Sequence, residues 1–361
     1  SLELIEKAKK LGLPNVDFLR YNTPRMSKHY LITGGAGFIG SHIAQALLAR
    51  GDRVRILDDL STGKLENIPK GADFVKASIT KPTAIAKVFK DIDGVFHTAA
   101  LPRVQLSIEH PAETNEVNVT GTLNVLLAAR DAGVKRVVYS ASSSAYGDQD
   151  ALPLHEGMKP NPKSPYGLQK YVGEHYMRLA SMFWNVETVS LRYFNVYGPR
   201  LAFKGAYVTV IAVFLKQRAE GLPLTITNDG TQTRDFTYVD DVVAANLAAM
   251  ERVKACQGEV INIGAGNNHS VNEVAKIIGG PTTNIPPRVE PHDTLADNRL
   301  ARELLGWSPK ISFEEGMRQT IEWFQNLRMY EKTQNFARGR SQAKLRQNRS
   351  ISRRVQKVQK S

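Results

Sequence analysis

From Lys28 to Ser140 the apolar residues switch repeatedly between strand-like runs and helical spacing. His29-Tyr30-Leu31-Ile32 is a short apolar run and predicts a strand, after which Ile39, Ile43, Leu47 and Leu48 recur on one helix face. Gly51 is placed to stop that helix, and Arg53-Val54-Arg55-Ile56-Leu57 predicts a second strand. Phe74-Val75 predicts a third strand, followed by a helix over Ala84–Phe89. Gly94-Val95-Phe96-His97-Thr98-Ala99-Ala100 reads as a strand that ends in small residues. Val119, Leu123, Leu126 and Leu127 set a long helix over Glu116–Ala132, and Lys135–Ser140 is a further strand. This alternation predicts an α/β fold with a doubly wound parallel sheet. Beyond residue 195 the pattern loosens. Proline-bounded segments, with short strands at Leu224–Ile226 and Val260–Ile263, predict a smaller mixed α/β lobe.

The boundaries follow from that pattern. Residues 1–25 form an N-terminal extension, with a short amphipathic helix (Leu2, Leu4, Ile5, Ala8) and a linker through Pro14 and Pro24. A larger α/β domain is expected over 26–192, with later returns near 235–265, and a smaller lobe over 193–330. Residues 331–361 are a basic tail, expected to be disordered.

Composition changes this picture little. At 361 residues, 42% hydrophobic and 23% charged, the chain has an ordinary globular make-up. Its net charge of +13 is concentrated at one end, because Lys332 to Ser361 holds ten Lys or Arg and no acid. The remainder is close to neutral. A basic tail could bind nucleic acid or an anionic membrane, but a solvated tail is the simpler reading, and no nucleic-acid partner is expected. The single Cys256 excludes an internal disulfide and a multi-cysteine zinc site, and no metal is expected. The longest apolar run, Val208 to Leu215, is too short to span a bilayer. Residues 1–25 lack the apolar core of a signal peptide. These features point to the cytoplasm.

The turn between the first strand and helix carries Gly34, Gly37 and Gly40. At this spacing the first glycine permits a tight turn, the second lets the backbone approach a pyrophosphate, and the third lets helix and strand pack closely. The helix N-terminus would then offer free N–H groups to the anion. Glycines also make ordinary turns, so the context decides. Asp58 ends the second strand about 20 residues further on, where a carboxylate binds an adenosine ribose 2′-hydroxyl. It favours NAD over NADP, whose 2′-phosphate it would repel, although Arg53, Arg55 and Lys64 lie near. A Rossmann-like domain holding NAD is the expectation.

Two further elements carry chemistry. Ser140-Ala141-Ser142-Ser143-Ser144-Ala145-Tyr146-Gly147 follows a strand directly, so its hydroxyls lie at the ligand edge, though a plain polar loop would look the same. Tyr166 and Lys170 stand four apart, on one helix face. A phenol near its ordinary pKa of about 10 is a poor base at neutral pH. A neighbouring ammonium and a positive nicotinamide ring would favour the phenolate. With 48 basic residues and 12 tyrosines, about one or two such pairs arise by chance, so the order of the elements matters more than the pair.

In that order the chain resembles the extended short-chain dehydrogenase/reductases, and within them the UDP-sugar 4-epimerases of the UDP-glucose and UDP-N-acetylglucosamine type. The likeness runs from about Lys28 to Leu327. It implies catalytic roles for Ser142, Tyr166 and Lys170. It implies cofactor contacts from Gly34, Gly37, Phe38, Ile39, Gly40, Asp58, Asp59, Ser78, Ile79, Ala99, Ala100, Asn118, Tyr166, Lys170 and Tyr193. The substrate would meet Ser142, Ser143, Tyr166, Asn195, Arg234, Arg288 and Thr294. The arginines suit a pyrophosphate, which a planar guanidinium grips with two bonds. The family's Gly-Asp after the third strand is absent: Val75-Lys76-Ala77-Ser78-Ile79 stands there. Glu290-Pro291 replaces the usual Gly-Asp after Arg288, and Pro102-Arg103 stands where many glucose/galactose enzymes carry a lysine.

Sister enzymes that eliminate water or carbon dioxide carry carboxylates where this chain has Ser143 and Ser144. The resemblance therefore implies 4-epimerisation of UDP-GlcNAc/UDP-GalNAc, UDP-Glc/UDP-Gal, or both, through a 4-keto sugar on a tightly bound NAD. Thr294, at the family's pocket gatekeeper position, is small enough to admit an N-acetyl group. The alternatives are a UDP-glucuronate 4-epimerase, another UDP-sugar-modifying member of the group, and a non-catalytic NAD- or RNA-binding module. A homodimer through Thr114–Ala132 and Tyr166–Met182 is also implied.

Overall fold

A computed structural model describes residues 26–102, 104–203, 209–252, 256–286 and 292–329. The expected N-terminal helix, the basic tail, Arg103 and Arg288 lie outside the described residues. The chain is built on β1 (His29–Thr33), β2 (Arg53–Asp58), β3 (Asp73–Lys76), β4 (Gly94–His97), β5 (Arg136–Ser142), β6 (Glu187–Tyr193), β7 (Leu224–Thr227), β8 (Thr233–Asp235) and β9 (Gln257–Ile263). Seven of these form one sheet in the order β3-β2-β1-β4-β5-β6-β9, every pair parallel. The order reverses between β1 and β4, so a crevice opens at their carboxyl ends.

Strand residues alternate between two cores. Tyr30, Ile32, Phe96 and Val138 pack with helices α1 (Phe38–Ala49), α5 (Val239–Glu251) and α7 (Arg299–Leu305). Leu31, Val95, Val137 and Tyr139 pack with α2 (Gly121–Asp131) and α3 (Pro165–Phe183). All five residues of β1 are buried, as expected of a strand covered on both faces. A third core, with Phe214, Leu224, Val274, Phe313 and Met317, belongs to the smaller lobe. There α4 (Val210–Ala219), α6 (Val271–Ile278) and helical residues 313–329 surround two short sheets. One joins β7 to β11 (Thr282–Ile285) and the other joins β8 to β10 (Asn268–Ser270).

Three elements differ from expectation. The strand expected at Val260–Ile263, inside the expected return near 235–265, begins earlier, at Gln257, and is the edge strand of the main sheet, paired with β6 from Thr188 to Tyr193. The Ala84–Phe89 helix is two short pieces, Pro82–Ile85 and 3-10 Ala86–Phe89. The Glu116–Ala132 helix is preceded by a turn from Pro111, and Glu116–Thr120 is π-helical. Asn118 is the buried residue of that stretch.

Candidate active site

The glycine turn sits at the β1/β4 crevice. Gly34 has φ +72°, and a Cβ there would lie 2.7 Å from the Ala99 backbone, so only glycine fits against the end of β4. A Cβ on Gly40 would reach the Gly34 carbonyl oxygen at 2.5 Å, which is the close approach of α1 to β1. At Gly37, the N-cap of α1, a Cβ would meet only the Gly34 oxygen at 3.1 Å. Gly37 offers no side-chain cap to α1, and the first turn holds no acid. The first N–H groups of α1 are thus suited to an anion.

Asp58, 8% exposed, ends β2 beside this turn. One oxygen accepts from Ala36 N at 3.0 Å and the other from Leu60 N at 2.8 Å. Burial pushes its carboxyl up, and those two backbone bonds pull it back. It retains lone pairs for ribose hydroxyls. Phe38 and Ile39, half-buried, form the first turn of α1, and Asp59 is exposed with one oxygen accepting from Ser61 N. Ile79 is buried against Gly121, while the Ser78 hydroxyl bonds Thr80. Ala99 and Ala100 follow β4, half-buried, and the amide of Leu101 beyond them donates to Asn118 Oδ1 at 2.8 Å. The residues present fit a dinucleotide.

Asn118 spends its other bonds on the protein. Its amide nitrogen donates to Leu101 O and to Gln169 Oε1. It therefore ties the loop after β4 to α3. Tyr193 is similar: its hydroxyl bonds Ser140 at 3.1 Å and Asn246 at 2.9 Å.

The reactive groups come from β5 and α3. Ser142 ends β5 and accepts from Ser144 N at 3.2 Å, with Ser143 half-buried in the 3-10 turn that follows. Ser164 caps α3 by accepting from Gly167 N at 3.1 Å, and Pro165 occupies its first position. Such a cap contributes about 1 kcal/mol and fixes the helix start, hence the place of Tyr166. Lys170, one turn on, is 3% exposed and donates to Ser140 O at 2.8 Å.

Here the charge balance departs from expectation. Burial pushes the Tyr166 phenol up to about 12, with a hydrogen bond to Ser142 pulling the other way. The same burial pushes Lys170 down to about 7. Desolvation thus outweighs mutual help between phenol and ammonium in the protein alone.

The expected substrate residues gather on the neighbouring strand. Ser142 pairs in register with Tyr193, and Asn195 follows two residues later. Asn195 Nδ2 donates to Asp235 O at 3.1 Å and reaches Thr294 Oγ1 at 3.4 Å. Asp235 N also donates to Thr294 Oγ1. Arg234, half-buried, donates to Thr233 O and His292 O, each at 2.8 Å. Arg288 lies outside the described residues. No cluster of metal-ligating residues occurs among the described residues.

Sequence reasoning missed three buried groups. His97 bonds Thr33 at 2.7 Å and Thr122 at 2.9 Å. Burial, then Lys170, pushes it down to about 3, so it stays neutral. Glu174 and Arg192 form a buried ion pair beside Lys170. Only Glu174 had a readable signal, its spacing of four from Lys170.

A parallel doubly wound sheet with a serine, tyrosine and lysine at its carboxyl edge defines an extended short-chain dehydrogenase/reductase. Residues 30–264 match the family model described as the NAD dependent epimerase/dehydratase family, and the chain belongs to that family. A UDP-glucose 4-epimerase of Mycolicibacterium smegmatis is 38% identical over 311 residues, covering 82% of this chain and 98% of that protein. The structure of a Thermotoga maritima UDP-glucose 4-epimerase with UDP-glucose matches at TM-score 0.79 and 38% identity, over 83% of this chain and 99% of the other. A UDP-N-acetylglucosamine 4-epimerase from Methanobrevibacter ruminantium, in complex with UDP-N-acetylmuramic acid, matches at TM-score 0.79 and 32% identity, over 84% and 100%. No described helix is long and apolar enough to cross a membrane.

Proposed function

We propose that the chain is an NAD-dependent UDP-hexose 4-epimerase, interconverting UDP-GlcNAc and UDP-GalNAc, UDP-Glc and UDP-Gal, or both, through a transient 4-keto sugar. One observation carries the reading. Ser142, Tyr166 and Lys170 stand at the sheet edge that also holds the Gly34–Gly40 turn, with serines rather than carboxylates at 143 and 144. Such a set can take a proton from a sugar hydroxyl and return it. It has no carboxylate at positions 143 and 144 to help expel water.

Tyr166, as phenolate, accepts the 4-hydroxyl proton, and Ser142 hydrogen-bonds the same oxygen. Lys170 stabilises the phenolate by its charge. Asn195, Arg234 and Arg288 hold the UDP while the flat keto sugar turns over. NAD, which the Gly34–Gly40 turn and Asp58 would hold, would supply the hydride acceptor and donor for C4. It is regenerated each turnover, which suits a tightly held group. Thr294 favours acceptance of an N-acetyl group, since its hydroxyl is already tied to Asn195 and the Asp235 amide. The exposed Leu168, Leu179, Met182 and Phe183 on α3 suit the homodimer, and the cytoplasm suits the substrate.

The test is a panel of UDP-Glc, UDP-GlcNAc and UDP-glucuronate with no added NAD, read by NMR of the products. Inversion at C4 without added cofactor is expected for the first two. A decarboxylated or dehydrated product, or none, would overturn the reading.

A further inference from the structure

The helix that carries Tyr166 and Lys170 carries another charged residue on the same face, Glu174, one turn beyond Lys170. Glu174 and Arg192 are each 3% exposed. Arg192 Nε donates to Glu174 Oε1 at 2.8 Å and Nη2 donates to Oε2 at 2.7 Å. Arg192 stands on β6, and its guanidinium lies 4.5 Å from the centre of the Tyr146 ring. The Tyr146 phenol in turn donates to Asn262 Oδ1 on β9 at 2.7 Å. Burying two charges is costly, and well-packed apolar residues would join helix and sheet at least as firmly. A pair kept in this place suggests a use for its charge.

The groups around the Lys170 ammonium show what that use is. From β5 come the Ser140 carbonyl at 2.8 Å and the Tyr139 ring at 4.8 Å. From β4 comes His97, held neutral. On β6, Arg192 bonds Glu174, and the Tyr193 hydroxyl bonds the Ser140 side chain. From α3 itself come Tyr166 and Glu174. The anion acting on Lys170 among the described residues is Glu174, and it opposes the burial that drives the ammonium down. Burial also pushes the Glu174 carboxyl up, and the Arg192 hydrogen bonds and charge pull it back toward the ionised form.

We propose that Glu174, clamped by Arg192, is a positioning residue that keeps Lys170 in its ammonium form beside Tyr166 near neutral pH. It acts through Lys170 and does not touch the substrate. The proposal rests on reading Tyr166 and Lys170 as the acid–base pair.

The test uses the full-length protein labelled with carbon-13 at the lysine Cε, titrated by NMR, with the Lys170 signal assigned by its loss in Lys170→Arg. In Glu174→Gln the Lys170 midpoint should fall by one pH unit or more, a tenfold change in its proton affinity. In Glu174→Asp, which keeps the charge, it should stay near the wild-type value. Turnover of Glu174→Gln at neutral pH should fall about tenfold in kcat, with little change in KM, and recover in Glu174→Asp. An unchanged Lys170 midpoint in Glu174→Gln overturns the proposal. Should that variant fail to fold, the double variant Glu174→Gln, Arg192→Leu is compared with Arg192→Leu alone, so that the two differ only in the Glu174 charge, and an equal Lys170 midpoint in both overturns the proposal. A lowered midpoint in a protein whose wild type epimerises no UDP-sugar supports the charge coupling and sinks the epimerase reading instead.

Discussion

Replacing Gly40 by alanine puts a methyl group into the seam between α1 and β1. Its carbon would lie 2.5 Å from the Gly34 carbonyl oxygen, 2.8 Å from Thr98 Oγ1 and 2.9 Å from Gly35 Cα. Two of those atoms are backbone, so the helix must retreat by about 1 Å to restore ordinary contact, an overpacking that costs about 1–3 kcal/mol. Alanine gains about 1 kcal/mol of helix propensity over glycine, which offsets part of this. A net loss of about 1–2 kcal/mol should lower the melting temperature of a chain this long by about 1–3 °C. The retreat also carries the α1 N-terminus away from the turn, so NAD should be lost with stability. Gly37→Ala is the contrasting case. Its φ of −79° is ordinary for alanine, and its methyl meets only the Gly34 oxygen, at 3.1 Å. The melting temperature of cofactor-stripped protein should stay within about 1 °C of wild type, because no large clash or special backbone angle is involved. The NAD co-purifying with it should fall sharply, since the methyl enters the pyrophosphate's approach. Both variants are read by thermal melts and by absorbance of NAD released on denaturation. A Gly40→Ala protein that melts like wild type and keeps its NAD would refute the close-approach argument. A Gly37→Ala protein that keeps its NAD would refute the cradle.

Tyr166→Phe should leave the melting temperature nearly unchanged and lower kcat by about 100-fold or more, the range of one acid–base group; near-normal turnover removes Tyr166 from the role given to it. Thr294→Tyr should exclude UDP-GlcNAc while UDP-Glc still reacts, and equal rates on UDP-GlcNAc would show that position 294 does not gate the pocket. His97 lies at about 3 in the folded protein against an ordinary 6.5. Unfolded chains therefore bind the extra proton first as pH falls, and its share of stability is lost from about pH 6.5 downward. The urea midpoint of wild type should drop more between pH 7 and pH 5 than that of His97→Gln, and parallel curves would contradict this.

Much of the nucleotide side of the site was legible because its signals are local. Gly34, Gly37 and Gly40 are set by one turn, and Asp58 by the end of one strand. Their places agree with the sterics: positive φ at Gly34, backbone contact at Gly40, a side open but for one oxygen at Gly37. The period of apolar residues also located five of the seven sheet strands, β1 to β5, in their own region, while β6 was not read as a strand. Val260–Ile263 was readable as a strand, but a four-residue apolar run looks alike in any sheet, and only its partner β6 says which one it joins. Asn118 and Tyr193 were expected at the cofactor on the strength of the resemblance. The structure directs their hydrogen bonds to Leu101, Gln169, Ser140 and Asn246.

By itself the sequence determined which face each strand and helix buries, where the chain turns tightly enough for a phosphate, and that Tyr166 and Lys170 share a helix face. Those are properties of spacing along one short segment. The tertiary structure decided the electrostatics. Whether Tyr166 and Lys170 help one another depends on how much water the fold removes from both, and burial moves them apart, to about 12 and about 7. The partner that sets the charge on Glu174 is Arg192, 18 residues away on β6. No pattern along the chain links a helix to the strand it will cover; only the packed sheet brings that guanidinium beneath the helix.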